Sequence, residues 1–353
     1  MTGYAYVRGK NQAWDHPAHK RRFPRYARRN DIRFSDYLSD KISREINILS
    51  PAADITFWRN EAGKNDMKLV FDANDPFLLS DESSLKDKLR GTFKFLTGRQ
   101  KYLELSYRDS YRKICEVADL VVVGHRAQAD LLKEVAKKVV LIPDYGIESP
   151  VQVKKDFNLC EEKTVNIFWE GLGSSFLPFD LLEEIFKPIL SEYNFVFHFV
   201  TDLSFFKYGD AIRKVHTQDL CRNLAPTLFK QFRFYQWSEY MMNRIAISCD
   251  IAVIPLPLDH SMNYWKPENK LIHMWRMCLP TITSPIPSYE RAFAESGSTL
   301  CPADIESWRE TILELASSEC LRKRYGSMGH KYACQSYDDQ SIDKRWRNCL
   351  VDL

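Results

Sequence analysis

Lys266 and Lys270 stand four residues apart at the start of an expected helix over Pro267–Met277. Residues at i and i+4 emerge on one helical face, and the unsatisfied N–H groups of a first turn favour an anion. Two ammoniums at that point suit a diphosphate without a metal ion; the alternative is an ordinary solvated lysine pair. A second phosphate-compatible stretch is Trp169-Glu-Gly-Leu-Gly-Ser-Ser175, between an expected strand and an expected helix. Gly171 and Gly173, with Ser174 beside them, would let backbone amides approach a phosphate or a sugar closely, although a Gly-x-Gly also makes a plain βα turn. Nearer the start, Asp15, His16 and His19 follow the first expected strand. A general base or an orienting group over an acceptor hydroxyl would sit there, and a polar loop is the alternative. Asp72 and Asp75 follow another strand, with capping or turn formation as their expected role.

Such residues need elements that bring them to one edge. Short runs rich in Val, Ile and Phe alternate with longer helical patterns, the mark of βαβ units and parallel sheets. In the first half the expected strands are Tyr4–Val7, Ile55–Trp58, Leu69–Phe71, Leu120–Val123 and Val139–Ile142, with helices over Asp36–Leu49, Lys101–Val117 and Ala127–Ala136. In the second half they are Asn166–Trp169, Phe195–Val200, Phe232–Tyr235, Ile251–Ile254 and Thr281–Thr283. Helices are expected there over Asp180–Tyr193, Ser238–Ser248, Pro267–Met277 and Ile305–Ala316, and again after Glu319. A linker is expected over Gly146–Lys163, which mixes Pro150 with charges. The fold class is α/β, with a doubly wound domain over 1–150, a second over 163–335, and a helical tail over 336–353 that can pack back on the first. Ligands of such sheets bind at the carboxyl ends of the strands.

Composition narrows the class. A chain of 353 residues holds about two domains, and 44% hydrophobic with 13% aromatic content supplies real cores. The balance of 50 basic and 47 acidic residues gives no reason to expect a nucleic-acid partner. Charge is local: from Arg8 to Arg33 nine basic residues are opposed only by Asp15 and Asp31. That segment reads either as a solvated surface or as a patch facing a phosphorylated or membrane-associated acceptor. Nine scattered cysteines without a CxxC pair suggest free thiols in a reducing compartment and no zinc site. No apolar run approaches the ~20 residues of a membrane span, and the first 20 residues lack the apolar core of a secretory signal. A cytoplasmic protein, free or peripheral at the inner membrane face, is expected.

The stretches Val117-Ala-Asp-Leu-Val-Val-Val-Gly-His125, Val139-Val-Leu-Ile-Pro-Asp-Tyr-Gly146, Cys249-Asp-Ile-Ala-Val-Ile-Pro-Leu256 and Lys266-Pro-Glu-Asn-Lys-Leu-Ile-His273, running on to Leu279-Pro-Thr-Ile-Thr-Ser284, follow in a telling order. Together they resemble the retaining GT-B glycosyltransferases of bacterial polysaccharide and glycoconjugate assembly. The resemblance implies two Rossmann-like domains facing across a cleft. It implies a nucleoside diphosphate sugar as donor, a glycan or lipid-linked acceptor, and no cofactor. By it, Lys266, Asn269 and Lys270 would meet the diphosphate, and Tyr235 and Trp237 the nucleobase, with core packing as the alternative for both rings. Asp15 and His16 would serve catalysis on the acceptor side. The family's two glutamates, eight positions apart, fall here on Trp265 and His273. His273 would then offer one hydrogen bond to the ribose, and Glu268 is the nearest acid that could take a catalytic or ribose-holding part. A sugar-nucleotide epimerase and a non-catalytic binding protein are the competing readings.

Overall fold

In the computed structural model, described over residues 3–9, 17–38, 46–64, 67–73, 77–79, 85–146, 151–161, 163–173, 179–207, 213–258 and 261–353, the chain divides into two compact units. The first comprises Met1–Tyr145, Trp265–Pro267 and Asp338–Leu353; the second comprises Gly146–Tyr264 and Glu268–Tyr337.

The first unit contains β1 (Tyr4–Arg8), α1 (Pro17–Arg21), α2 (Phe23–Arg29), β2 (Phe34–Leu38), β3 (Ile46–Leu49) and α3 (Ile55–Glu61). After these come β4 (Lys68–Asp72), α4 (Leu85–Leu96), α5 (Tyr107–Val117), β5 (Leu120–Val123), α6 (Arg126–Leu132) and β6 (Val139–Leu141). Among the described residues the strands form one parallel sheet in the order β2-β1-β3-β4-β5-β6. Continuous apolar runs such as Leu120-Val-Val-Val123, buried at every position, suit a sheet covered on both faces.

Three expectations are corrected here. Ile55–Trp58 is helical in α3, because Asp54 accepts the amides of Thr56 and Phe57 at 3.1 Å and caps the first turn. That cap overrides the β preference of Ile-Thr-Phe-Trp. The expected helix over Asp36–Leu49 is replaced by the end of β2 and by β3, whose residues are buried at all four positions between β1 and β4. The helix expected from Lys101 begins only at Tyr107, where Ser106 accepts the Asp109 amide.

The basic segment is partly turned inward and partly paired. Arg22 is buried between α1 and α2 and donates to Asp72 Oδ1 at 2.6 Å, to Asp144 Oδ1 at 3.1 Å and to the Ile142 carbonyl at 2.6 Å. Burial opposes its charge, yet Asp72 and Asp144 hold its pKa above the ordinary arginine value. Arg8 pairs with Asp36 at 2.6 Å. Arg25 and Arg29 pair with Asp339, at 2.9 and 3.1 Å, on the last helix, Asp339–Val351. That helix docks through Trp346, whose ring stacks on Tyr26 at 6.1 Å, while Tyr145 donates to Asp343 at 2.5 Å. Arg8, Arg22, Arg25 and Arg29 therefore do not form the free cationic surface that the sequence suggests.

The second unit contains β7 (Thr164–Glu170), α7 (Phe179–Phe186), β8 (Asn194–Thr201), β9 (Ser204–Lys207), β10 (Arg213–His216), α8 (Thr217–Leu224) and β11 (Phe232–Gln236). These lead into α9 (Glu239–Ser248), β12 (Ile251–Ile254), α10 (Ser261–Tyr264), α11 (Asn269–Arg276), β13 (Thr281–Thr283), α12 (Pro287–Ser296), α13 (Ile305–Ser317) and α14 (Glu319–Ser336). The last helix named above is α15. Its parallel sheet has the order β11-β8-β7-β12-β13 among the described residues, and β9 and β10 form a separate antiparallel pair that the sequence reading did not anticipate. Alternate residues of β8 put Phe195, Phe197 and Phe199 into one core. Phe199 lies 4.8 Å from both Phe179 and Phe232. Residues 151–161, expected as a linker, pack on this unit: the Lys154 amide meets the Met277 carbonyl at 2.9 Å, and buried Arg322 donates to the Phe157 carbonyl at 2.7 Å.

Removing Arg22 leaves Asp72 charged and unaccompanied in the core. Arg22→Ala is expected to cost the first unit about 3–5 kcal/mol, measured by urea unfolding; a loss under about 1 kcal/mol would show that the cluster does not hold the unit together.

Candidate functional site

The carboxyl ends of the second unit's strands collect its polar groups. Glu170 closes β7, and its carboxylate accepts Trp237 Nε1 at 2.9 Å. The Trp237 amide meets the Thr201 carbonyl at 3.0 Å, and the Gly171 amide meets the Val200 carbonyl at 3.3 Å, so the ends of β7, β8 and β11 are tied together. Lys270, in the first turn of α11, donates Nζ to the Glu170 carbonyl at 2.9 Å. The same ammonium lies 4.0 Å from the Glu170 carboxylate and 5.3 Å from the Trp169 ring centroid. Its side chain is 39% exposed, which leaves it able to meet a ligand. On the neighbouring strand ends, Ser284 Oγ accepts the Leu256 amide at 2.8 Å.

Both glycines answer to close packing. A Cβ on Gly171 would stand 2.6 Å from the Trp169 ring and 2.9 Å from Lys270 Nζ. On Gly173 it would stand 2.6 Å from Phe205 and 3.1 Å from Thr217 Oγ1. The turn after β7 thus runs against Trp169 and against the start of α8, a demand that the Gly-x-Gly spacing alone did not reveal. Ser174 lies outside the described residues, as do Asp15, His16 and Asp75.

α11 begins at Asn269, with Glu268 in the N-cap position, so Lys266 precedes the helix and shares no helical face with Lys270. Pro267 is likewise outside it, which corrects the expected start. Lys266 belongs to the first unit and Lys270 to the second. Glu268 is buried and receives both Arg291 and the Tyr337 hydroxyl on Oε1, which ties α11 to α12 and to the end of α14. Its Oε2 is buried without a hydrogen-bond partner among the described residues. The Glu268 carboxylate, with burial first, pushes the Tyr337 hydroxyl far above its ordinary range.

His273 is buried in a stretch of α11, Leu271 to Trp275, that has no exposed position. α14 approaches this helix at Gly329, where a Cβ would come within 2.5 Å of the Trp275 ring. Tyr235 has other partners than Trp237. Its hydroxyl meets His198 Nδ1 at 3.0 Å, His198 Nε2 meets Asn166 at 3.0 Å, and Asn166 donates to Asp250 at 3.1 Å. Burial, then Arg233, lowers the His198 pKa, which disfavours a charged imidazole in this ladder. The structure therefore gathers Gly171, Trp237 and Lys270 around Glu170, while the Tyr235 hydroxyl is engaged by His198. Glu170 escaped the sequence reading although it stands between Trp169 and Gly171; an acid directly after a strand and before glycine was the available signal.

In the first unit, His19 lies buried with Nδ1 2.9 Å from the Tyr6 hydroxyl. His125 follows β5 and meets Trp265 edge-on, with centroids 6.3 Å apart. Among the described residues no group of three or more His, Cys, Asp or Glu could hold a metal ion, and no helix is long and apolar enough to cross a membrane.

No protein-family model matches the chain, and no curated protein matches it by sequence. Solved structures do resemble it. HepE (Alr3699) of Anabaena, solved with UDP and glucose, is 10% identical with a TM-score of 0.63 over 100% of both chains. WaaG, a glycosyltransferase involved in lipopolysaccharide biosynthesis, is 13% identical with a TM-score of 0.58 over 97% of this chain and 98% of its own. TarM is 13% identical with a TM-score of 0.60; the match covers 86% of this chain but only 54% of TarM, about half its length. With a doubly wound parallel sheet in each unit and these likenesses, the chain has the GT-B fold of glycosyltransferases.

Proposed function

We propose that the chain is a glycosyltransferase that moves a hexose-type sugar from a nucleoside diphosphate donor to a glycan or lipid-linked acceptor in polysaccharide or glycoconjugate assembly. The observation that carries this reading is the part-exposed Lys270 ammonium at the carboxyl end of β7, beside the turn that Gly171 opens. The likeness to HepE, solved with UDP and glucose, supports the donor class, and the likeness to WaaG supports the process.

Transfer breaks the bond between the anomeric carbon and the diphosphate oxygen and forms one to the acceptor hydroxyl oxygen. Negative charge then builds on the diphosphate, and a fixed cation near helix N–H groups stabilises it. Lys270 and the first turn of α11 take that part, with no metal ion and no cofactor in this reading. Lys266, Asn269, His273, Trp237 and the turn over Gly171, Gly173 and Ser174 are the further proposed donor contacts. Asp15 and His16 are the proposed acceptor-side groups. Glu268, engaged by Arg291 and Tyr337, acts as a positioning residue that fixes the start of α11. All nine cysteines are free, which supports a reducing, cytoplasmic setting.

A non-catalytic nucleotide-sugar binder is the second reading, favoured by the buried His273 and by Trp265 at the positions where the resemblance calls for acids. Thermal shift with UDP, GDP, ADP, CMP, TDP and their sugar conjugates separates the two. Saturation at a hundred times the dissociation constant stabilises by about 2.7 kcal/mol. A shift with sugar transfer supports the enzyme, a shift without transfer or donor hydrolysis supports the binder, and no shift overturns both.

Lys270→Ala is expected to lower kcat/KM for donor by about 10²-fold with the melting temperature unchanged. Full activity in that variant would move the diphosphate elsewhere. Glu268→Ala, by contrast, is expected to destabilise the second unit by about 3 kcal/mol, read from denaturant unfolding, because Arg291 loses its buried partner.

A further inference from the structure

Three side chains meet at the carboxyl end of β7, and their bonding is incomplete. Trp237 Nε1 donates to one oxygen of the Glu170 carboxylate, Oε1, at 2.9 Å. Lys270 Nζ donates to the main-chain carbonyl of the same residue at 2.9 Å and stays 4.0 Å from the second carboxylate oxygen, Oε2. That gap lies beyond hydrogen-bond reach. Oε2 thus has no hydrogen-bond partner among the described residues, although the Glu170 side chain is only 11% exposed. A carboxylate oxygen largely withdrawn from water and left without a donor is costly to keep. It stands at the edge where ligands of such sheets bind, so the missing donor can come from a ligand.

Its surroundings narrow what that donor is. A metal ion or an ammonium would stand against the Lys270 charge, and an anion against the carboxylate itself. A neutral O–H or N–H is what remains. The part-exposed Lys270 ammonium takes an anion at the same place. Gly171 keeps the space over it clear, since a Cβ there would stand 2.9 Å from Lys270 Nζ. One ligand that carries a phosphate with a neutral donor next to it would engage both groups. In a nucleoside diphosphate sugar, a ring rich in hydroxyls joins each end of the diphosphate, and the N–H groups of the base stand one ring further off.

We propose that Glu170 is a specificity-determining residue that accepts a hydroxyl of a donor sugar ring, ribose or hexose, through Oε2. Trp237 is its positioning residue, because the indole N–H holds Oε1 and so turns Oε2 toward the ligand. The inference rests on the sugar-transfer reading and adds to it the group that tells a hydroxylated ring from its deoxy form.

The test is calorimetric titration of the full chain with UDP, GDP, ADP and TDP, each against its 2′,3′-dideoxy form. The glucose conjugate of the nucleotide that binds is then titrated against its 2-deoxyglucose form. In the wild type, loss of the hydroxyls on the ring that Glu170 holds is expected to weaken binding by about 10- to 100-fold. In Glu170→Ala the two forms of that pair should bind nearly alike, and Glu170→Gln, which keeps an accepting oxygen, should restore part of the difference. Trp237→Phe, which keeps a ring but loses the N–H, should shrink the ratio, whereas a merely structural role would weaken both forms equally. The pair that responds, ribose or hexose, names the ring. An unchanged ratio in Trp237→Phe overturns the positioning role. A ratio near unity in the wild type for both pairs, or one that survives Glu170→Ala, overturns the inference and leaves sugar transfer standing. A wild type that binds none of the four nucleotides overturns the sugar-transfer reading and the inference with it.

Discussion

A strand buried on both faces has little room for a polar side chain except at its ends, and both units are built around parallel sheets of such strands. The chemistry of this chain is sorted by that constraint. In the first unit Asp72 closes β4, His125 follows β5 and Asp144 follows β6. In the second, Glu170 closes β7, Trp237 follows β11 and Ser284 follows β13. All stand at carboxyl ends, where loops and helix starts can offer partners. Where a polar residue does sit inside a strand, as Asn166 and His198 do, it is held in a continuous ladder from Tyr235 to Asp250, the arrangement that makes such burial tolerable.

Two buried ionic hubs do corresponding work in the two units. Arg22 draws together the α1–α2 junction, β4 and the chain after β6, segments up to 122 residues apart. Glu268 draws together α11, α12 and the end of α14 through Arg291 and Tyr337. Each hub costs desolvation and returns it only with its full set of partners, so each fixes the geometry of its unit more than it raises net stability. The α11 hub matters for function, because Lys270 is two residues beyond Glu268 and its place beside Glu170 depends on where that helix begins.

Glycine sets the distances. Gly171 lets Lys270 and Trp169 crowd the turn after β7, and Gly329 lets α14 lie on the Trp275 ring. Gly91 brings α4 against the segment before α5. In each case the missing Cβ serves a backbone or ring approach.

Local pattern was enough for part of this. Uninterrupted apolar runs marked β5 and β12, because burial on both faces leaves a strand no polar alternation to hide behind. The alternation of such runs with helical patterns fixed the doubly wound class, and the Gly171-Leu-Gly173 turn with Lys270 pointed to the edge where the polar groups gather. Short ambiguous runs were beyond it. Ile55–Trp58 reads as a strand until Asp54 caps it, and Ile46–Leu49 becomes a strand only by lying between β1 and β4. Charge was the least legible property. Arg22, Arg25 and Arg29 read as a basic patch because their carboxylates lie 50 to 314 residues away, and Glu268 reads as an available acid because Arg291 and Tyr337 are 23 and 69 positions off. Local sequence specifies hydrophobic period and backbone freedom, which act over a few residues; the partner of a buried charge is chosen by tertiary proximity, and only the folded chain decides it.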